Sequence, residues 1–445
     1  MNYYPIPPSP LDFSRRLRYN QLLFGKRAPL LRPGEPGRNG RIGIEVAMKQ
    51  IAILGFGIVG GGIPTVLEEN AEQIRRTVGD GVEIRYILDL RDFPDSPLGD
   101  RVVHSIDPIL KDPEVIAVCE AMGGLRPAYE FTAACLRAGK SVVTSNKELV
   151  SEKGGELLRL ARENGCYYFF EGSVGGGIPL IRPFLTSFAG ERVREVSGIV
   201  NGTTNYILTA MQGGRSFADT LREAQELGYA EREPSADVDG IDAKRKIMIL
   251  TGLSSGMLPD ADDVYTEGIR DVTALDREGA KKAGGTLRLI ARAVTGERGV
   301  SAGVCPMIVL DDHPLSGVNG VYNAVSLTLP STGDILYYGR GAGRLPTAAA
   351  LVSDLTAVLS GAAGAEKMPE FEKMPAGTLI PFDSLPCDSY VRTGKPAAET
   401  EEILMSASEE TVRLPGERAE FVLRGCSVPE VRRLLPDARI IRILR

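Results

Sequence analysis

The chain has 445 residues, 43% apolar and 25% charged, with a formal net charge of −6; that is the balance of a globular protein long enough for two or three packed units. The acidic balance argues against a general affinity for nucleic acid, which needs a clustered basic surface, and no apolar stretch approaches the roughly 20 residues of a membrane span. Six scattered cysteines without a C-x-x-C pair, and opening residues without a signal-peptide pattern, predict reduced thiols in a cytoplasmic protein.

Residues 1–47 are rich in Pro, Arg and Gly and hold no helix or strand period. They predict a disordered or non-native N-terminal extension, with Met48 as a candidate initiator. Strands are then predicted at 50–54, 83–88, 115–119, 141–144 and 167–170, and helices at 58–70, 128–138 and 154–164. This alternation is the mark of a doubly wound, Rossmann-type parallel sheet, assigned to 48–178. From 179 to 325 longer amphipathic helices mix with strands and predict an α+β catalytic domain. Within it Ser216 can cap a helix whose Phe217, Leu221 and Ala224 form a stripe and which Gly228 can end. Residues 326–365 include an apolar helix at 347–360. A strand-helix-strand pattern at 419–424, 428–434 and 438–444 predicts a small C-terminal α+β segment spanning 366–445.

The first chemical signal is Gly55-Phe56-Gly57-Ile58-Val59-Gly60, between a strand and a helix. Glycines at this spacing let a pyrophosphate approach the backbone at the positive end of a helix, so the segment predicts dinucleotide binding. After the second strand, Asp89 could accept from a ribose hydroxyl (favouring NAD), and Arg91 could meet the 2′-phosphate of NADP. The second signal is a helix on which Asp242, Lys246, Ile249, Leu250 and Leu253 share one face while Lys244 points away. A lysine on an apolar stripe one turn from a carboxylate is either an acid/base group or a structural ion pair. Lys147, in Thr144-Ser145-Asn146-Lys147, follows a strand at its carboxyl end, where such sheets bind ligands; an ordinary loop lysine is the alternative. The turn from Glu171 to Pro179 can wrap an anion with N–H groups or a cation with carbonyls, or simply bend the chain. The only two histidines, His104 and His313, sit in no recognisable motif, which points to lysine or carboxylate for proton transfer.

These segments together closely resemble homoserine dehydrogenases. The resemblance runs in order through GFGIVGGG (55–62), SNKELV (145–150), EGSVGGGIPLI (171–181), GIVNGTTNYIL (198–208), AQELGYAEREPSADVDGIDAKRK (224–246) and GRGAGRLPTAAALVSDL (339–355). It implies NAD(P)-dependent interconversion of L-homoserine and L-aspartate 4-semialdehyde, in threonine, methionine and isoleucine biosynthesis. Lys246 would be the acid/base, with Lys147 assisting on the nicotinamide side. Glu231 would bind the substrate ammonium, and Asp237 and Asp242 would hold the neighbouring network. Gly55 to Gly60, Arg91, Lys147 and Gly343 would contact the cofactor. Glu171, with backbone oxygens of Val174, Gly176 and Ile178, would hold a monovalent cation, Na⁺ or K⁺. A homodimer or homotetramer is implied, through strands contributed by residues 300–340, with 326–365 supplying dimerisation strands and a helix returning to the nucleotide unit. Many members end in an ACT regulatory domain. Here Cys387 to Arg392 could be the remnant of its first strand, but the continuation departs from the pattern, so 366–445 is read as degenerate ACT-like or unrelated and threonine feedback as weak or absent. Two other functions compete. An aspartate-semialdehyde dehydrogenase needs an activated cysteine, and no cysteine here sits in such a setting. A non-catalytic NAD(P)-sensing regulator would not need Glu231, Asp242 and Lys246 together.

Overall fold

The computed structural model describes residues 48–362 and 368–445; the expected N-terminal extension, 1–47, lies outside the described residues. Six strands form the first sheet: β1 (Met48–Leu54), β2 (Gly81–Leu88), β3 (Val102–Val103), β4 (Val115–Glu120), β5 (Ser141–Thr144) and β6 (Tyr168–Phe169). Their order is β3-β2-β1-β4-β5-β6, all parallel, which is the doubly wound order with its switch point between β1 and β4. Ile51 to Leu54 in β1 are fully buried, because helices cover both faces of the sheet. The expected helix at 58–70 forms as a short 3₁₀ turn, Gly60–Gly62, running into Ile63–Glu69.

The second sheet is assembled from distant parts of the chain. It holds β7 (Glu195–Ile199), β9 (Tyr265–Thr266), β10 (Gly285–Gly296), β11 (Gly299–Leu310), β12 (Tyr322–Leu329), β13 (Gly333–Arg340), β15 (Cys387–Thr393), β16 (Glu410–Arg413), β17 (Ala419–Cys426) and β18 (Arg439–Leu444). The main path is β13-β12-β7-β10-β11-β18-β15-β17-β16, with β9 alongside β11. Two short strands, β8 (Met257–Leu258) and β14 (Glu372–Lys373), pair separately. The expected boundary between 325 and 326 falls inside β12, a strand paired on both sides, so the chain does not divide there.

The C-terminal segment is α+β, as the sequence predicts. The helices Ala397–Met405 and Val428–Leu434 complete a βαββαβ unit with strand order β18-β15-β17-β16, the ferredoxin-like arrangement. All four strands and both helices of the unit are present. β18 pairs in parallel with β11, so the unit extends the catalytic sheet.

Candidate active site

The two lysines singled out in the sequence come together. Lys147 opens the helix Lys147–Glu163, whose N-cap Asn146 accepts from the Leu149 amide at 3.1 Å. Lys246 lies in the helix Ile241–Ser255, which starts after Gly240 at φ +82°, a left-handed turn that a side chain would strain. Asp242 joins the two: its Oδ1 is 3.1 Å from Lys147 Nζ and its Oδ2 2.7 Å from Lys246 Nζ. A second bridge, Arg245 to Glu148 at 3.0 Å, ties the same two helices.

Lys246 and Asp242 are 8% and 7% exposed. Burying a lone charge is costly, so each needs its partners. The Lys246 ammonium donates to Asp242 and to the carbonyl of Val200 at 2.6 Å. An ammonium carries three N–H groups, and with these two acceptors among the described residues one N–H remains to donate to a bound oxygen. Burial alone would raise the Asp242 carboxyl, but the charges of Lys246 and Lys147 outweigh it and hold the group well below the usual carboxylate range. Asn201 donates to Asp242 at 2.9 Å and to Asp237 at 2.7 Å. Asp237 is pushed the other way, upward, by burial and by the charge of Asp242. Neither Val200 nor Asn201 was singled out in the sequence, although both stand inside the motif at 198–208.

Glu231 is not drawn into this cluster. Its side chain is exposed and makes no hydrogen bond or ion pair among the described residues, while its backbone carbonyl accepts from Gln225. The segment just before it is anchored beside Asn201, since Thr203 Oγ1 donates to the Tyr229 carbonyl at 2.6 Å. His104 bonds Asp89 and Asp92, and His313 accepts from the Leu315 amide; neither belongs to the lysine cluster.

The glycine loop has the form a pyrophosphate requires. Gly55 has φ +88°, a Cβ on Gly60 would lie 1.9 Å from the Gly55 carbonyl, and a Cβ on Gly57 would meet nothing within 4 Å. The loop therefore folds tightly on itself and leaves one face clear. Ile58 is exposed on it. The Phe56 amide donates to Asp89 at 2.7 Å. Asp89 also takes two bonds of 3.0 Å from the Arg91 side chain, and that guanidinium holds its carboxyl down to about 2. Gly343, at φ +130°, precedes the helix Arg344–Leu359, and Arg344 donates to the Gly61 carbonyl at 2.8 Å. The return helix thus reaches the nucleotide loop.

Two sequence models of known proteins match: homoserine dehydrogenase over residues 179–356, and the NAD binding domain of homoserine dehydrogenase over 55–171. A homoserine dehydrogenase of Bacillus subtilis is 40% identical over 318 residues, which is 70% of this chain and 72% of that protein. The chain belongs to the homoserine dehydrogenase family. It is, accordingly, an NAD(P)-dependent oxidoreductase acting on a CH–OH group of a small molecule. The crystal structure of a homoserine dehydrogenase from Thiobacillus denitrificans superposes with a TM-score of 0.81 at 32% identity, covering 90% of this chain and 99% of that one. A hyperthermophilic archaeal homoserine dehydrogenase mutant in complex with NADPH aligns at TM-score 0.61 and 29% identity, over 70% of this chain and 98% of that one.

The turn after β6 is where the family resemblance implies a cation, and here Glu171 has visible work of its own. Its carboxylate accepts the Leu180, Ile181 and Arg182 amides at 2.5, 2.9 and 2.8 Å, capping the helix Ile181–Thr186. Asp354, 2% exposed, accepts the Glu171 amide at 2.8 Å and pairs with Arg182 at 3.0 Å. Burial and the charge of Glu171 push the Asp354 carboxyl up to about 8, and burial raises Glu171 as well. Among the described residues no helix is long and apolar enough to cross a membrane.

Proposed function

We propose that this chain interconverts L-homoserine and L-aspartate 4-semialdehyde, with Lys246 moving the proton. The observation that carries the reading is the buried Lys246, held by Asp242 and the Val200 carbonyl with one N–H to spare. Bound at the Gly55–Gly60 loop, the nicotinamide cofactor supplies or accepts the hydride. The protein's part is to hold the substrate carbon and exchange one proton at its oxygen. Lys246 Nζ does this, while Asp242 fixes both ammonium groups so that Lys147 faces the same space from the nucleotide side. Glu231 supplies an exposed carboxylate for the substrate ammonium, on a segment pinned next to Asn201, and Asp237 holds the network through Asn201. Arg91 meets a 2′-phosphate when NADP binds, and Asp89 a ribose hydroxyl when NAD binds. Gly343 contacts the cofactor at the head of the helix whose Arg344 reaches the loop.

The same proposal includes the monovalent cation at Glu171, Val174, Gly176 and Ile178. Glu171 and Asp354 place two buried carboxylates against Arg182, and a further positive charge, proton or cation, offsets the excess. Gly175 and Gly176, at φ +75° and +56°, turn the loop tightly there. Assembly as a homodimer or homotetramer is supported by β13, which is an edge strand among the described residues and has Leu336 and Tyr338 exposed; an edge of this kind invites pairing.

The test is NAD(P)⁺ reduction on adding L-homoserine, run beside L-aspartate 4-semialdehyde with phosphate. Reduction with homoserine alone supports the reading. Reduction only with semialdehyde and phosphate indicates the acyl-transfer enzyme, and none with either indicates a cofactor sensor.

A further inference from the structure

The six cysteines look scattered in sequence, yet two of them meet. Cys387 opens β15 and Cys426 closes β17, and the antiparallel register sets them directly opposite one another, just before an irregularity at Cys387/Ser389. Opposed residues of an antiparallel pair have Cα atoms roughly 4.5–5.5 Å apart, inside the span a disulfide bridges. The Cys426 thiol donates to the Cys387 carbonyl at 3.2 Å, and Cys387 Sγ lies 3.5 Å from Ser389 Oγ. Cys426 is fully buried, whereas Cys387 is half-buried and lines a cavity of about 340 Å³. Arg292, Glu195, Asp388 and Arg445 line the same cavity.

We propose that Cys387 and Cys426 form a reversible thiol–disulfide site that reacts with low-molecular-weight disulfides of the glutathione class. The two thiols differ in the required direction. The adjacent Cys426 side chain, with help from Ser389 and the charges of Arg442 and Arg292, lowers the Cys387 thiol against the effect of burial, and the same neighbourhood raises Cys426. The thiolate is the attacking species in exchange. Cys387 Sγ therefore attacks one sulfur of the small disulfide, forming a mixed disulfide and releasing one small thiolate. Cys426 then attacks Cys387 Sγ, its proton passing to the second small thiolate as that group is displaced. Two protein thiols are oxidised by two electrons and one small disulfide is reduced to two thiols. The remaining cysteines are internal controls. Cys119, Cys135, Cys166 and Cys305 are buried, and burial raises Cys119, Cys135 and Cys305 to about 12 and Cys166 to about 11.

The experiment treats the folded full chain with oxidised glutathione, then counts thiols after denaturation and maps peptides by mass spectrometry. Wild type should lose two thiols, retain no glutathione and yield a peptide linking Cys387 to Cys426. Its melting temperature should rise and return on adding dithiothreitol, because the link restricts the unfolded chain. C426S should keep one glutathione at Cys387, and C387S should react at least tenfold more slowly. A wild type that stays fully reduced, or retains glutathione without forming the link, overturns the proposal, as does a C387S variant that reacts at the wild-type rate.

Discussion

Lys246 can be judged from its spacing because helix periodicity decides which face a residue occupies. Its place on the stripe of Ile249 and Leu250 predicts burial beside Asp242, and the structure agrees. Val200 and Asn201 are invisible to that logic: they act across a separation of more than forty residues, and nothing local announces a carbonyl as a partner. Replacing Lys246 with Met should lower kcat by about 10²–10⁴-fold, the usual effect of removing a positioned acid/base group. NADPH binding, followed by the cofactor's own fluorescence, should persist; near-normal turnover would take Lys246 out of the mechanism. Glu120 was also missed, since a carboxylate ending an apolar strand reads as a surface residue. It is fully buried at the end of β4, accepts from the Thr144 hydroxyl and the Met122 amide, and Thr144 in turn accepts the Asn146 amide at 2.9 Å. Burial pushes its carboxyl up to about 7. A raised folded-state pKa means that its contribution to stability is full below the unfolded value and is lost as pH rises through about 7. E120Q should therefore gain on wild type from about pH 5 to pH 8.5, approaching roughly 3 kcal/mol in urea melts. A constant difference over that range would show that Glu120 ionises like an exposed carboxylate.

At the scale of elements, strands and amphipathic helices were legible, while helices whose glycines or polar faces serve a neighbour were not. The helix Lys147–Glu163 begins seven residues before its predicted start at 154. The interruption comes from Gly154 and Gly155, a weak helical pair in isolation. A Cβ on Gly155 would lie 2.5 Å from the Phe371 carbonyl, so this glycine admits a crossing segment. The helix Ala397–Met405 and strand β16 escaped for another reason. Thr400 and Leu404 are that helix's buried positions, and no β16 residue is buried. Glu171 caps a helix, and the proposed cation would give it a second role. If the cap alone matters, E171Q keeps one accepting oxygen and should retain most stability, with no dependence on the salt. If a cation neutralises the Glu171 and Asp354 pair, both E171Q and E171A should lose salt-dependent stabilisation. Wild type should then melt lower when Na⁺ and K⁺ are replaced by a bulky organic cation. An unchanged wild-type melt on that replacement sinks the cation and leaves the cap.

For the whole molecule, the decisive fact is that the last strand returns to the middle of the catalytic sheet. The sequence reads 366–445 as a small C-terminal segment, degenerate ACT-like or unrelated, with threonine feedback weak or absent; in the structure the segment is a complete βαββαβ unit joined to the catalytic sheet. β11 is buried at all but its two ends, and its Met307 to Val309 pair with Arg442 to Leu444. Charged contacts reinforce the junction. Asp276 is fully buried and paired with Arg392 at 2.9 Å and Arg439 at 3.6 Å, while Glu420 is held by Lys282 and by the Tyr390 hydroxyl at 3.0 Å. Gly279 accepts the Tyr390 ring so closely that a Cβ would lie 2.3 Å from it. Ending the chain after Leu385 would open one side of β11 along an apolar strand, an aggregation-prone edge. It would also strip Asp276 of both arginines, and losing the partner of a buried charge costs about 3–5 kcal/mol, a large part of the roughly 5–15 kcal/mol that stabilises a domain. The truncated chain should therefore be recovered mainly as aggregate, or melt far below the full chain, with activity lost through the sheet rather than through the lysine cluster. R392M in the full chain provides the graded version: it should lower the melting temperature and leave KM for homoserine unchanged. A soluble truncated chain with the full melting temperature and full turnover would show that the C-terminal unit is separable after all.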